Sequence, residues 1–153
     1  LDERMRTHER VISMERTNAR YVDQLPEPID IVVIDVSFIS LNLMFPAVTQ
    51  VLAPDGICVP LIKPQFEAGP ENIGKRGVVR NPDVHDMVLR KVLGFAADHG
   101  LAVRNLVASP LRGPNGNIEF LAHLTLDTSG TIPSTDDLVA RAMEQVHILN
   151  ADL

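Results

Sequence analysis

The sequence has a single cysteine, no excess of basic charge and no long hydrophobic run, and each shortage excludes a class of protein. Cys58 stands in an apolar segment, so a disulfide framework and a thiolate metal site are excluded, and a buried, inert thiol in a reducing compartment is expected. The formal net charge of −6 argues against a nonspecific coat on nucleic acid but leaves room for a local basic site. No apolar run approaches the roughly 18 residues of a membrane span, and no signal peptide is visible. We therefore expect a cytoplasmic protein with no membrane segment.

The elements predicted along the chain alternate between strands and helices. Residues 1–9 are strongly charged and fit a helix end, and because the chain begins there with leucine we expect a fragment of a longer protein. Apolar and β-branched runs predict strands over 10–15, 29–36, 57–62, 101–108 and 118–126. Caps and helical spacing predict helices over 41–53, 82–99 and 138–149, with a PDG turn at 54–56. This alternation indicates an α/β sheet.

The helix over 82–99 has the clearest signals. Asn81 can cap it, Pro82 suits its first position, and Gly100 ends it. Apolar residues recur along it at helical spacing, which predicts a face turned toward the core: Val84, Met87, Val88, Val92, Phe95 and Ala96.

Three charged residues each stand beside an apolar run that predicts a strand. Asp35 closes IVVID, Lys63 closes GICVPLIK, and Glu119 opens EFLAHLTL. Parallel sheets place functional groups at strand ends, because the loops there hold polar side chains over a rigid support. Singly, each charge is expected to be an ordinary strand terminus. Together, their complementary signs point to a site.

A lysine between two carboxylates can activate a hydroxyl nucleophile. The amine accepts a proton or holds the alkoxide, while the carboxylates orient it. Nearby carboxylates also favour the charged amine, which is a poor base. Base chemistry at such a site therefore requires a second cation, and the sequence offers none at another strand end.

Two polar loops flank the three charged residues. The long, glycine-rich segment 65–80 carries Lys75, Arg76 and Arg80, which form either a solvated face or a basic cap that contacts RNA phosphates. The segment 113–117 (GPNGN) either makes simple turns or aims Glu119. The histidines show no ligand spacing, so no metal site is predicted.

Longer strings around these residues resemble one family. IDVSFIS (34–40), IKPQFEAG (62–69), KRGVVRNPDVH (75–85), GPNGNIEFLAHL (113–124) and MERTNAR (14–20) are similar, in order, to segments of the TlyA, or hemolysin A, family. Its members are FtsJ-like, S-adenosylmethionine-dependent ribose 2′-O-methyltransferases that act on ribosomal RNA. The resemblance runs from about Arg4 to Leu126. It implies S-adenosylmethionine as cofactor and ribosomal RNA, within a ribosomal subunit, as the partner of the full-length protein.

The resemblance also implies roles for individual residues. Family members carry a lysine, aspartate, lysine, glutamate tetrad, and Asp35, Lys63 and Glu119 match its last three positions. Lys63 would assist deprotonation of a ribose 2′-hydroxyl that the two carboxylates orient. Asp35 and Phe38 would line the methyl-donor pocket, and Asn18 would face the adenine.

Parts of the family pattern are absent from the sequence. The glycine-rich turn after the first strand, the acidic ribose ligand after the second, the first tetrad lysine and a preceding RNA-binding module have no counterpart. The expected fold is therefore α/β: a partial Rossmann-like methyltransferase sheet, mostly parallel with an antiparallel final strand, that lacks the first two strands. Residues 1–126 would be the C-terminal portion of the methyltransferase domain, 127–137 a linker and 138–153 a terminal helix. Without the first lysine we expect this chain to be inactive alone.

The absent strands would leave an apolar edge exposed over residues 29–35. Unpaired edges promote association, so we expect either Val11–Met14 or a second copy of the chain, in a homodimer, to cover it. The main alternative function is accordingly a noncatalytic, partner-binding or oligomerising domain derived from the same fold. A pore role, which the hemolysin label suggests, has no support from an amphipathic or apolar membrane segment.

Overall fold

Four of the five predicted strands assemble into a mixed sheet in the computed structural model, which describes residues 2–151. The four strands of this part of the chain are β1 (Ile29–Ile34), β2 (Leu52–Ile62), β3 (Ala102–Ala108) and β4 (Phe120–Thr125). They lie in the order β1-β2-β4-β3. β1 and β2 are parallel, whereas β4 is antiparallel to both of its neighbours. The carboxyl ends of β1 and β2 therefore meet at one edge of the sheet, beside the start of β4.

Five α-helices lie among the described residues. They are α1 (Glu3–Arg6), α2 (Phe45–Val51), α3 (Pro64–Glu67), α4 (Pro82–Asp98) and α5 (Thr135–Ala151). Of these, α2, α4 and α5 contact the sheet. The signals read for α4 are confirmed: the Asn81 side chain accepts a hydrogen bond from the Asp83 N–H, and Gly100 follows the helix with a φ of +76°. The Ser134 hydroxyl caps α5 by accepting from the Asp137 N–H at 3.1 Å. The last two residues of the predicted terminal helix, 152 and 153, lie outside the described residues.

The apolar core of the described residues lies between the sheet and helices α2, α4 and α5. The predicted face of α4 is largely confirmed, but Met87 is exposed. Leu89 and Leu93 are buried instead, because α4 packs against both the sheet and α5 and needs a wider apolar face than one stripe. Cys58 is fully buried, and burial raises the pKa of its thiol to about 12, as expected of an inert thiol.

The structure differs from the prediction at three elements. Residues 10–15 do not form a strand, because this segment does not lie along the edge of any of the four strands and so makes no ladder hydrogen bonds. The predicted helix over 41–53 is a 3-10 turn (Leu41–Leu43) followed by α2, and Pro46 stands in the first turn of α2 rather than inside a longer helix. The PDG segment does not separate a helix from a strand. It bulges within β2, where Ile29 is opposite Leu52 but Ile31 is already opposite Ile57.

The outer edge of β1 is bare among residues 2–151. β1 pairs with β2 alone, and the side chains of Ile31 and Val33 are 62% and 75% exposed. The expectation that Val11–Met14 covers this edge is wrong, since that segment forms no strand and is mostly exposed. Cover by a second copy of the chain stays a prediction.

The bulge in β2 yields a stability prediction with a matched control. A Cβ at Gly56 would lie 2.9 Å from the Ile29 carbonyl oxygen and 3.0 Å from that of Ala53. Gly56→Ala should therefore lower the free energy of unfolding by about 1–3 kcal/mol. Gly94→Ala should raise it by about 0.5–1 kcal/mol, because Gly94 lies inside α4 with open space around it. Urea unfolding measures both; shifts of the same sign would contradict this account of the bulge.

Candidate active site

The parallel strands β1 and β2 bring Asp35 and Lys63 into contact. Ile34 lies opposite Pro60 in the ladder, so both strands end at the same edge. Lys63 Nζ forms an ion pair with Asp35 Oδ1 at 2.6 Å and donates a hydrogen bond to Ser37 Oγ at 3.3 Å. The Lys63 side chain is 12% exposed, whereas that of Asp35 is 74% exposed. The ammonium group is therefore held at the rim of the core, beside a carboxylate that faces solvent.

Glu119 directly precedes β4, the strand that is antiparallel to β2. Ile62 is opposite Phe120 in the antiparallel ladder, so one step further the register sets Lys63 opposite Glu119. The Glu119 carboxylate is buried and accepts a hydrogen bond from Gln65 Nε2 at 2.8 Å. Among the described residues no ion pair links it to Lys63, whose carboxylate partner is Asp35. The structure thus brings the three charged residues together but pairs only two of them.

The loop before β4 packs directly against Glu119. A Cβ on Gly113 would lie 2.2 Å from Glu119 Oε1, so only glycine leaves room for the carboxylate. Asn117 fixes the same loop: its side chain accepts from the Val79 N–H and donates to the Gly77 carbonyl, each at 3.0 Å. These contacts support the interpretation that the segment 113–117 positions the Glu119 side chain.

The segment after β1 exposes an aromatic ring. Phe38 is 91% exposed and has a φ of +61°, a left-handed conformation that is costly for a bulky residue. Its ring centre lies 4.7 Å from that of Phe66, and Lys63 Nζ lies 5.8 Å from the Phe66 ring. Backbone strain of this kind clusters at ligand-binding positions, so the ring is a candidate contact for a bound molecule.

An apolar cleft of about 480 Å³ runs along β1 and reaches Asp35. Ala19, Val22 and Val36 are among its lining residues. S-adenosylmethionine combines a flat adenine, a ribose and a sulfonium cation. An exposed aromatic ring, an apolar wall and the solvent-facing carboxylate of Asp35 match part of that chemistry, so the residues fit one wall of a site for it.

Asn18 directly precedes Ala19 in the chain, and its side chain is already engaged in a hydrogen bond. Its oxygen accepts from the Arg20 N–H at 3.2 Å and caps the 3-10 turn Ala19–Tyr21. The neighbouring Ala19 lines the cleft, whereas Asn18 is absent from its wall. An adenine contact by Asn18 stays a prediction.

The basic loop residues share one cleft. Lys75, Arg76 and Arg80 are exposed and line a cleft of about 610 Å³. Arg80 also lines a neighbouring cleft of about 370 Å³ together with Arg112, a basic residue that sequence reasoning missed. The Asn115 side chain donates to the Arg76 carbonyl at 3.0 Å, which ties the two loops together. RNA binding by this basic surface remains a prediction.

Sequence reasoning also missed two buried polar residues in α3. Glu67 accepts hydrogen bonds from the Leu41 N–H and from Ser40 Oγ, both at 2.8 Å, and Gln65 bonds Glu119 as described above. Burial raises the pKa of Glu67, although the two hydrogen bonds and the positive charge of Lys91 oppose the rise. The string KPQFE could have indicated these two residues, because Gln65 and Glu67 alternate with the apolar Pro64 and Phe66 directly after Lys63.

The sequence model of the family described as FtsJ-like methyltransferase matches residues 1–126. The chain belongs to this family. Among its FtsJ-like relatives, the "Putative rRNA methyltransferase YqxC" of Bacillus subtilis (strain 168) is 42% identical over 94% of the chain and 53% of its own length. The "16S/23S rRNA (cytidine-2'-O)-methyltransferase TlyA" of Mycobacterium tuberculosis (strain ATCC 25618 / H37Rv) is 37% identical over 92% of the chain and 54% of its own length. "Hemolysin A" of Brachyspira hyodysenteriae is 34% identical over 80% of the chain and 52% of its own length.

Solved structures agree with this membership. A putative hemolysin from Streptococcus thermophilus superposes with a TM-score of 0.82 at 44% identity, covering 98% of the chain and 56% of that protein. The resemblance to the TlyA and hemolysin A family is therefore confirmed, and the four-stranded α/β sheet is consistent with the FtsJ-like fold. The chain spans about half the length of the curated relatives it matches.

Residues 2–151 contain neither a helix that could cross a membrane nor a group of side chains that could hold a metal ion. No helix in this range is both long and apolar enough to cross a membrane. No group of three or more histidine, cysteine, aspartate or glutamate side chains in the same range is arranged to hold a metal ion.

Proposed function

We propose that the chain contains the catalytic residues of an S-adenosylmethionine-dependent methyltransferase. This enzyme would modify a ribose 2′-hydroxyl of ribosomal RNA in the cytoplasm. The observation that carries the proposal is the Lys63–Asp35 ion pair at the joint end of two parallel strands, with Glu119 next in register. Relatives of the chain bear rRNA methyltransferase names, which supports the same reaction. The fold would be the portion of a Rossmann-like methyltransferase sheet that follows its first two strands.

In this mechanism Lys63 acts on the nucleophile. The 2′-hydroxyl would release its proton to solvent water, which reaches the exposed side of Asp35, as its oxygen takes the methyl group from the sulfonium sulfur. The Lys63 ammonium group would stabilise the negative charge that develops on that oxygen. Asp35, fixed by its ion pair, orients the ammonium group, and Glu119 orients the hydroxyl from the opposite side. When bound, S-adenosylmethionine supplies an electrophilic methyl group. Asp35 and Phe38, with Asn18 at the adenine, would hold it beside the cleft along β1.

The basic surface made of Lys75, Arg76 and Arg80 would hold the RNA backbone. Its position on one cleft, together with Arg112 on the adjoining one, gives a patch of like charge on a chain whose net charge is negative. Phosphate contacts of this kind release counterions, so RNA affinity should fall steeply as salt rises.

Methyl transfer to ribosomal RNA tests the proposal. The complete protein encoded by the gene, whether or not it extends beyond residues 1–153, is incubated with ribosomal subunits and S-adenosylmethionine carrying a labelled methyl group. We expect label in RNA at a linkage that resists alkaline cleavage, because methylation removes the 2′-hydroxyl that attacks the phosphodiester. We also expect residues 1–153 alone to be inactive.

The same preparation tests the alternative function. The bare, apolar edge of β1 favours an oligomerising or partner-binding domain. Sedimentation of the complete protein would reveal a homodimer, and Val33→Lys, at an exposed position within 29–35, would disrupt it. A dimer that transfers no methyl group to any RNA would replace the methyltransferase proposal with this one.

A further inference from the structure

The one-turn helix α3 follows Lys63 directly, and its side chains reach the other parts of the candidate site. Gln65 contacts Glu119, Phe66 contacts Phe38, and Glu67 contacts the segment that follows β1. These contacts span long sequence separations and meet at the end of β2. A helix of four residues has little stability of its own, so its rigidity comes from these tertiary contacts.

Gln65 is the sole hydrogen-bond partner that the described residues provide to the Glu119 side chain. It is 7% exposed, and its Nε2 lies 2.8 Å from Glu119 Oε1. Its own Oε1 is buried without a hydrogen-bond partner. The reverse orientation of the amide would set two oxygens against each other, so the carboxylate fixes the amide and the amide fixes the carboxylate. Gly113 also packs against this carboxylate, so closely that a Cβ there would overlap Glu119 Oε1.

Glu67 performs the corresponding task for the segment after β1. It is 4% exposed, and its two carboxylate oxygens accept from Ser40 Oγ and from the Leu41 N–H. The Lys91 side chain of α4 donates a hydrogen bond to the Glu67 carbonyl at 2.9 Å and so links α3 to α4. The segment held in this way carries Phe38, whose strained backbone needs outside support to persist.

We propose that Gln65 and Glu67 are positioning residues with separate tasks: Gln65 orients Glu119 for catalysis, and Glu67 holds the Phe38 segment for methyl-donor binding. The inference rests on the proposed function. It predicts that the two residues affect different steps, although they lie two positions apart in one turn of helix. A merely structural role would affect both steps alike, in proportion to lost stability.

The test measures kcat, methyl-donor Kd and thermal stability of the complete protein. Gln65→Met retains length but removes the donor to a charged group, so kcat should fall by about tenfold to a hundredfold while Kd stays within about twofold. Glu67→Leu should weaken methyl-donor binding about tenfold or more. Glu67→Gln retains an acceptor for the Leu41 N–H and should restore most of that binding. Val146→Ala, in the buried face of α5, controls for lost stability.

Crystal structures of the variants supply a readout that does not depend on activity. We expect a displaced Glu119 carboxylate in Gln65→Met and a displaced segment 36–41 in Glu67→Leu. An unmoved carboxylate and segment would overturn the inference, as would equal changes in kcat and Kd that follow stability in the manner of Val146→Ala. Absence of methyl transfer by the unmodified protein would instead refute the proposed function, and the crystal structures alone would then decide whether Gln65 and Glu67 position their partners.

Discussion

Lys63→Met should lower the kcat of methyl transfer by about 10²–10⁴-fold, the range associated with removing a positioned acid, base or charge-stabilising group. The substitution leaves the long apolar stem in place but removes the ammonium group that contacts Asp35 at 2.6 Å. The 2′-oxygen would then develop its charge beside two carboxylates with no Lys63 cation to offset them. Single-turnover assays on ribosomal RNA with saturating methyl donor measure this step.

Arg141→Met is the matched control for the Lys63 variant. It also exchanges a cation for an apolar side chain, but Arg141 is exposed on α5, and its side chain donates a hydrogen bond to the Asp137 carbonyl of the same helix. Its turnover should equal that of the unmodified protein. Undiminished turnover by Lys63→Met would remove Lys63 from the mechanism, and equal losses in both variants would point to a general effect of charge.

Phe45→Ala should lower the free energy of unfolding by about 3–5 kcal/mol, the largest stability effect that we expect from a single substitution. Phe45 is fully buried at the start of α2, with its ring 6.3 Å from that of His99. Truncation opens a cavity that the packed helix and sheet cannot close. Denaturant unfolding followed by circular dichroism measures the change.

Phe38→Ala is the control for this prediction, because the same side chain is lost from an exposed site. The ring of Phe38 contacts Phe66 but is otherwise in solvent, so stability should change by less than about 1 kcal/mol. Methyl-donor affinity should instead weaken. A stability loss at Phe38 as large as that at Phe45 would mean that the Phe38 segment belongs to the core.

Local sequence patterns predicted most of the fold. The apolar runs before Asp35 and Lys63 are strands, and the helix between Pro82 and Gly100 has the expected limits. Each of these elements is specified by its own periodicity and caps, which short segments encode. Errors arose where an element depends on a distant partner: residues 10–15 alternate like a strand but have no neighbour to pair with, and the PDG turn became a bulge because β1 imposes a ladder across it.

The candidate site was also predictable only in part: the sequence indicated its residues, and the structure was needed for their contacts. Asp35, Lys63 and Glu119 were readable as strand-end charges, and the family membership follows from the strings around them. The sequence did not predict which of these residues form an ion pair, because complementary charge alone does not say that Lys63 contacts Asp35 rather than Glu119. Strand order and register decide that choice.

The sequence by itself determined most of the elements, the family and the identity of the charged residues, because these depend on composition and spacing within short segments. Tertiary structure alone decided that Gln65 bonds Glu119, 54 positions away, and that Glu67 bonds the Leu41 N–H, 26 positions away. Such contacts depend on which strands lie side by side and in which register. Burial then gives them their effect, since a hydrogen bond to a carboxylate is strong where water cannot compete for it.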